Sequence, residues 1–133
     1  MVPKTEIEDE PKKILVVEDD ILIRMLIADE LRDLGFQVVE ARSGDDAVGY
    51  LESGSHVDLI FSDVQMPGTV DGVQLARRVR VALPKLPVIL TSGDGQPPDI
   101  GGALHFVPKP YEIFHVVALV LRSLGLVGGD DAP

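Results

Sequence analysis

Lys13-Ile14-Leu15-Val16-Val17-Glu18-Asp19-Asp20 is the stretch on which the fold turns. Its apolar residues run together without alternating with polar ones and are rich in β-branched side chains, as in a short strand covered on both faces. Acids follow at once, where such a strand leaves the core. Beyond them Ile23, Leu26, Ile27, Leu31 and Leu34 recur at helical spacing, with Gly35 as a C-terminal cap. A buried strand, an acidic turn and an amphipathic helix make the first unit of an α/β fold.

The pattern repeats outward. Further strand-length runs are Gln37 to Ala41, Val57 to Ser62, Pro87 to Thr91 and Leu104 to Val107. The second helix opens on the capping box Ser43-Gly44-Asp45-Asp46 and runs through Ala47, Val48 and Leu51. The third starts near Asp71 and directs Val73, Ala76, Val79 and Leu83 inward, leaving Arg77, Arg78 and Arg80 as a solvated face. The last, Tyr111 to Leu124, is apolar nearly all round. Five strands interleaved with helices imply a (βα)5 chain with a parallel, doubly wound sheet and right-handed crossovers. Between Ser92 and Leu104 the Gly- and Pro-rich stretch supports no more than a loop or a single short turn, so the helix expected there is short or missing.

The chain has 133 residues and a net charge of −10, from 12 Lys and Arg against 22 Asp and Glu. That length fits one domain, and that charge argues against affinity for nucleic-acid phosphates. Absence of cysteine excludes disulfides, thiol catalysis and Cys-ligated zinc. With 45% hydrophobic but only 5% aromatic residues, the core is built from Val, Leu and Ile. No signal pattern is present and no apolar run approaches the roughly 18 residues that span a bilayer, so no membrane partner and a cytoplasmic location are expected. Residues 1–12 read as a flexible acidic tail, 13–125 as the domain and 126–133 as a second tail.

In open α/β sheets ligands bind beyond the carboxyl ends of the strands. Glu18, Asp19 and Asp20 follow strand one, Asp63 strand three, Thr91, Ser92 and Gly93 strand four, and Lys109 and Pro110 strand five. Carboxylates gathered on one edge repel unless a cation lies among them, and an all-oxygen set suits Mg2+. Such an ion, a Lys and a hydroxyl are the electrostatic parts of phosphoryl transfer, and Asp63 is the carboxylate placed to accept the group.

Four motifs in order, Ile14-Leu-Val-Val-Glu-Asp-Asp, Asp63-Val-Gln-Met-Pro with Asp71-Gly72, Pro87-Val-Ile-Leu-Thr-Ser-Gly, and Val107-Pro-Lys-Pro, make the chain resemble the receiver domain of bacterial two-component response regulators. The resemblance runs from about Lys13 to Leu124 and implies a flavodoxin-like sheet of order 2-1-3-4-5. It further implies that Asp63 is phosphorylated by a sensor histidine kinase or a histidine phosphotransfer protein. Glu18 and Asp19 then hold Mg2+ with Asp63 and the Gln65 backbone carbonyl. Ser92 and Lys109 contact the phosphoryl group, Phe106 is the aromatic switch, and the Lys109-Pro110 peptide is cis. Three departures stand out: Glu18 replaces the commoner Asp, Gly68-Thr69-Val70 lengthens one loop by a residue, and the segment from Ser92 to Lys109 is shorter than in the chemotaxis type.

Blander readings apply elsewhere. Asp20 reads as a helix cap, and His56, His105 and His115 lack ligand spacing and are assigned nothing. In the last helix Ile113, Phe114, Val116, Val117, Leu119, Val120, Leu121 and Leu124 exceed what one sheet face covers, leaving part for a downstream protein or homodimer. The reading is therefore a stand-alone phospho-accepting switch, acting through protein contacts or as a phosphate sink, and not an enzyme. Its competitors are a phosphorylation-independent pseudo-receiver, which usually lacks part of the acidic pair, acceptor, hydroxyl and Lys, and an aspartyl-phosphate phosphatase of the haloacid dehalogenase type, which wants Asp where Gln65 stands.

Overall fold

The computed structural model describes residues 10–93 and 104–126. In chain order these form β1 (Lys13–Val17), α1 (Ile21–Asp33), β2 (Gln37–Ala41), α2 (Gly44–Glu52), β3 (Leu59–Asp63), α3 (Gly72–Ala82), β4 (Val88–Ser92), β5 (Leu104–Pro108) and α4 (Ile113–Ser123). The stretch expected to hold a loop or short turn after Ser92, and most of both expected tails, lie outside the described residues.

All strands are parallel, in the order β2-β1-β3-β4-β5. Every residue of β3 and β4 is buried, because helices cover both faces of the central strands. The edge strands β2 and β5 are only partly buried. Ile14, Val16, Leu59, Phe61 and Ile89 pack with Ile27 and Leu31 of α1 and Val116 and Val120 of α4. Leu15, Val17, Ile60, Val88 and Leu90, the alternate residues of the same strands, pack with Ala47 of α2 and Leu75, Ala76 and Val79 of α3. The period of two along each strand thus sorts the apolar residues onto two helical layers.

Local chemistry sets the helix ends. Asp20 accepts from the backbone N–H groups of Leu22 and Ile23 at 3.0 and 3.2 Å, so it caps α1. Gly35, at φ 100°, follows the helix in the left-handed conformation that glycine adopts without strain. Ser43 caps α2 through the Asp46 N–H. Asp71 and Gln74 form a reciprocal capping box at α3.

Several expected inward positions face water instead. Leu26 on α1, Leu34 at its C-cap and Leu83 after α3 are exposed, because the sheet covers only the middle of each helical stripe, Ile27, Ala28 and Leu31 on α1 and Leu75, Ala76 and Val79 on α3. β3 begins at Leu59 and not at Val57, since the Asp58 side chain turns back to accept the Lys13 N–H at 2.8 Å. On α4 the surplus of apolar residues is smaller than expected. Val116 and Val120 are fully buried, and Ile113, Val117, Leu119, Leu121 and Leu124 are partly buried against the same cluster. Of the eight, only Phe114 stands out, 60% exposed. The exposed apolar patch among the described residues is instead at the start of α1, on Ile21, Leu22, Met25 and Leu26.

Candidate functional site

The sheet order reverses at β1 and β3, which are hydrogen-bonded neighbours although α1, β2 and α2 separate them in sequence. Their carboxyl ends therefore open on the crevice where ligands of doubly wound sheets bind. Pairing of Val17 with Ser62 brings the next residues, Glu18 and Asp63, side by side at that edge. Carboxylate oxygens of Glu18, Asp19 and Asp63 lie within 4.8 Å of one another. Glu18 and Asp63 are 1% and 5% exposed, whereas Asp19 is open to solvent.

Lys109 enters from the end of β5. Its Nζ donates to Asp63 Oδ2 at 3.0 Å and stands 4.0 Å from Glu18 Oε1. Its backbone N–H donates to the Ser92 carbonyl at 2.9 Å, tying β5 to β4 at the level of the site, and the Lys109-Pro110 peptide is cis. Gln65, two residues past the acceptor candidate, donates its backbone N–H to Asp63 Oδ1 at 3.3 Å.

Ser92 and Phe106 belong to the other face of the sheet. Leu90 pairs with Phe106, so Ser92, two residues beyond Leu90, is a diagonal neighbour of Phe106 on the α2/α3 side. Ser92 is buried, and Phe106 is partly buried against the core of that side. The site thus combines carboxylates of one face with a hydroxyl and an aromatic ring of the other, joined at the strand ends.

Electrostatics follow from burial. Burial pushes the Glu18 carboxyl up to about 7. The Asp20 N–H bond at 3.1 Å and Lys109 oppose the shift, and the Asp63 carboxylate adds to it. For Lys109, burial acts to lower the pKa, but the hydrogen bond and charge of Asp63, helped by Glu18 and Asp19, raise it, so the ammonium is held charged. Tyr111 lies beside the site with its ring edge-on to Phe61 at 6.1 Å between centroids. Burial, and then the charges of Glu18 and Asp63, hold its hydroxyl neutral, with the pKa pushed up to about 12.

Three carboxylates against one ammonium leave the cluster short of positive charge. The buried Glu18 Oε1 has no hydrogen-bond partner among the described residues. An oxygen-only donor set with an orphaned carboxylate oxygen fits a hard divalent cation such as Mg2+.

Backbone packing holds Asp63 in place. Val64 N–H donates to the Thr91 carbonyl and Gly72 N–H to the Val64 carbonyl, each at 2.8 Å. A Cβ on Gly72 would lie 2.2 Å from the Asp63 carbonyl oxygen and 2.8 Å from Val64 Cα, so only glycine lets the start of α3 approach this closely. Tyr111 carries no role in the sequence reading, although an aromatic directly after Lys109-Pro110 is a visible signal. The buried hydroxyl of Thr91, in register with Asp63 and without a hydrogen-bond partner among the described residues, gives no signal beyond its place at a strand end.

A family model described as the response regulator receiver domain matches residues 14–120. The chain is 43% identical over 82 residues to the sensor histidine kinase RcsC of Escherichia coli, covering 62% of this chain and 8% of that protein. It is 32% identical over 117 residues to the DNA-binding transcriptional regulator NtrC of Salmonella typhimurium, covering 82% of this chain and 24% of that one. The chain therefore spans a small part of the length of these relatives. The crystal structure of the signal receiver domain of a signal transduction histidine kinase from Syntrophus aciditrophicus superimposes with a TM-score of 0.77 at 31% identity, covering 92% of this chain and 96% of that one.

Proposed function

Because the chain belongs to the response regulator receiver domain family, we propose that it is a phospho-accepting switch whose acceptor is Asp63, charged by a sensor histidine kinase or a histidine phosphotransfer protein. The observation that carries the reading is the Asp63 carboxylate, buried yet open at the strand edge, held 3.0 Å from Lys109 Nζ and within 4.8 Å of the Glu18 and Asp19 oxygens.

Glu18, Asp19 and Asp63 would hold Mg2+, with the Gln65 carbonyl completing the protein's share. When bound, the ion supplies positive charge for the phosphoryl oxygens. An Asp63 carboxylate oxygen forms the new bond to phosphorus as the P–N bond of a phosphohistidine breaks, and the departing imidazole keeps the electron pair and takes up a proton. Lys109 exchanges a carboxylate partner for a phosphoryl oxygen, and Ser92 can donate its hydroxyl to another.

Phosphorylation adds about −1.5 to −2 of charge at one point, biasing the β4–β5 edge where Ser92, Phe106 and Lys109 lie. A histidine-bearing partner must approach Asp63 from the carboxyl edge, flanked by the exposed Ile21, Leu22, Met25 and Leu26 of α1. A downstream partner or a second copy on α4 has Phe114 to engage. The reading carries with it a bacterial, cytoplasmic setting, where such kinases transfer their phosphoryl groups. No helix among the described residues is long and apolar enough to cross a membrane.

Incubation with Mg2+ and acetyl phosphate is expected to add one phosphoryl mass to the wild-type chain and none to Asp63→Asn, which retains the fold because one charge leaves a crowded cluster. Unmodified wild-type protein, with no spectral response to beryllofluoride, would establish the pseudo-receiver instead. Turnover of small phosphate esters that vanishes in Asp63→Asn would establish the phosphatase.

A further inference from the structure

Arg24 lies one turn into α1, and its side chain is only 14% exposed. A guanidinium so covered is costly unless its N–H groups and charge are met. Nη1 donates to the Glu18 backbone carbonyl at 2.9 Å, and Nε donates to Glu40 Oε1 on β2 at 3.1 Å. The second oxygen of Glu40 accepts from Arg32 Nη1 at 3.0 Å, and Arg32 Nη2 donates to the Val38 carbonyl at 3.0 Å. From the other side, the Glu18 N–H donates to the Ala41 carbonyl at 3.0 Å.

The carbonyl that Arg24 holds belongs to the peptide unit joining Glu18 to Asp19. β2 grips Glu18 by its N–H, Arg24 grips it by its C=O, and rotation of that peptide plane would redirect the Asp19 carboxylate. A guanidinium presents donors in a rigid plane, so one side chain fixes the carbonyl and a carboxylate together; a Lys ammonium lacks that geometry. We propose that Arg24 is a positioning residue for the cation site, aimed by Glu40, with Arg32 holding Glu40 from outside. The inference rests on the reading of Glu18, Asp19 and Asp63 as cation ligands, and it assigns Arg24 a task in affinity and not only in stability.

The test is calorimetric titration of Mg2+ into the full chain, alongside thermal melts without Mg2+, for wild type, Arg24→Ala, Arg24→Lys and Arg32→Ala. Arg24→Ala is expected to weaken Mg2+ binding by roughly tenfold, as loss of a group that orients metal ligands does. Arg24→Lys should fall between it and wild type, and Arg32→Ala should stay within about twofold of wild type even where its melting temperature drops. Should Arg24→Ala fail to fold, Arg24→Lys against Arg32→Ala decides: weaker Mg2+ binding by the Lys variant supports the assignment, and equal binding overturns it. Wild-type affinity in both Arg24 variants, with lowered melting temperatures, reduces Arg24 to a structural ion pair and overturns this inference alone. Failure of the wild-type chain to bind Mg2+ removes the cation site itself, and the inference with it.

Discussion

Asp63 and Lys109 meet at 3.0 Å, yet the strands that deliver them are built differently. β3 is central, hydrogen-bonded to β1 and β4, and buried at every residue; its end is pressed by the start of α3 at Gly72. β5 is an edge strand, bonded among the described strands to β4 alone and half open to solvent. Asp63 is thus set where displacement disturbs close packing on all sides, and Lys109 where displacement disturbs least. On the proposed function, this is the arrangement that keeps Asp63 still while Lys109 responds to its modification.

The largest effect is expected at the rigid end. Gly72→Ala forces backbone apart at Asp63, and overpacking of that kind costs about 3 kcal/mol or more. An exposed change on β5, His105→Ala, should remain within about 0.5 kcal/mol. Denaturant unfolding of the two variants measures this directly, and similar losses in both would break the contrast between the strands.

Lys109→Ala comes next. It removes the ammonium facing Asp63 and Glu18, so the metal-free protein should melt lower than wild type, with added Mg2+ recovering most of the loss. Mg2+ binding should persist, whereas the beryllofluoride-induced shifts of β5 amide resonances should shrink. Undiminished β5 shifts would mean that Lys109 does not couple the acceptor to the edge.

The last expected effect is a pH drift. The Glu18 carboxyl rises from 4.5 to about 7 on folding, so between those values the folded state binds more protons than the unfolded one. Its contribution to stability is full below pH 4.5 and is lost as pH climbs to 7. Metal-free melting temperatures should therefore fall over this window in wild type relative to Glu18→Gln. Mg2+ affinity should rise over the same window, because protons cease to compete. Parallel melting curves for the two proteins would contradict the buried-carboxyl argument.

Much of this architecture is readable from single residues. Lys13 to Val17 is a strand in sequence and in space because its uninterrupted apolar run, Ile14 to Val17, has only a two-sided core to enter. The acids after it, Asp63 and Lys109, are visible as strand-end residues, and Asp20 as a cap. Helical stripes are less legible: Leu26, Leu34 and Leu83 share the period of the buried residues but lie at the margin of what the sheet covers. α4 differs in the opposite direction, since residues scattered round its circumference still touch one apolar cluster. Arg24 carries no signal at all, because a lone Arg on a helix reads as solvated until Glu18 and Glu40 are brought beside it.

The alternation of strand and helix, the residue types available at each strand end and, through the motifs, the family can all be read along the chain. Those are local properties, set by side-chain period, β-branching and the short reach of caps. That Glu18, Asp19 and Asp63 share one cluster, that Lys109 answers it across 46 positions of chain, and that Arg24 holds the peptide behind it are visible in the folded chain alone. Strand order and register create these contacts, and distances of a few ångströms between residues far apart in sequence exist only once the sheet has closed.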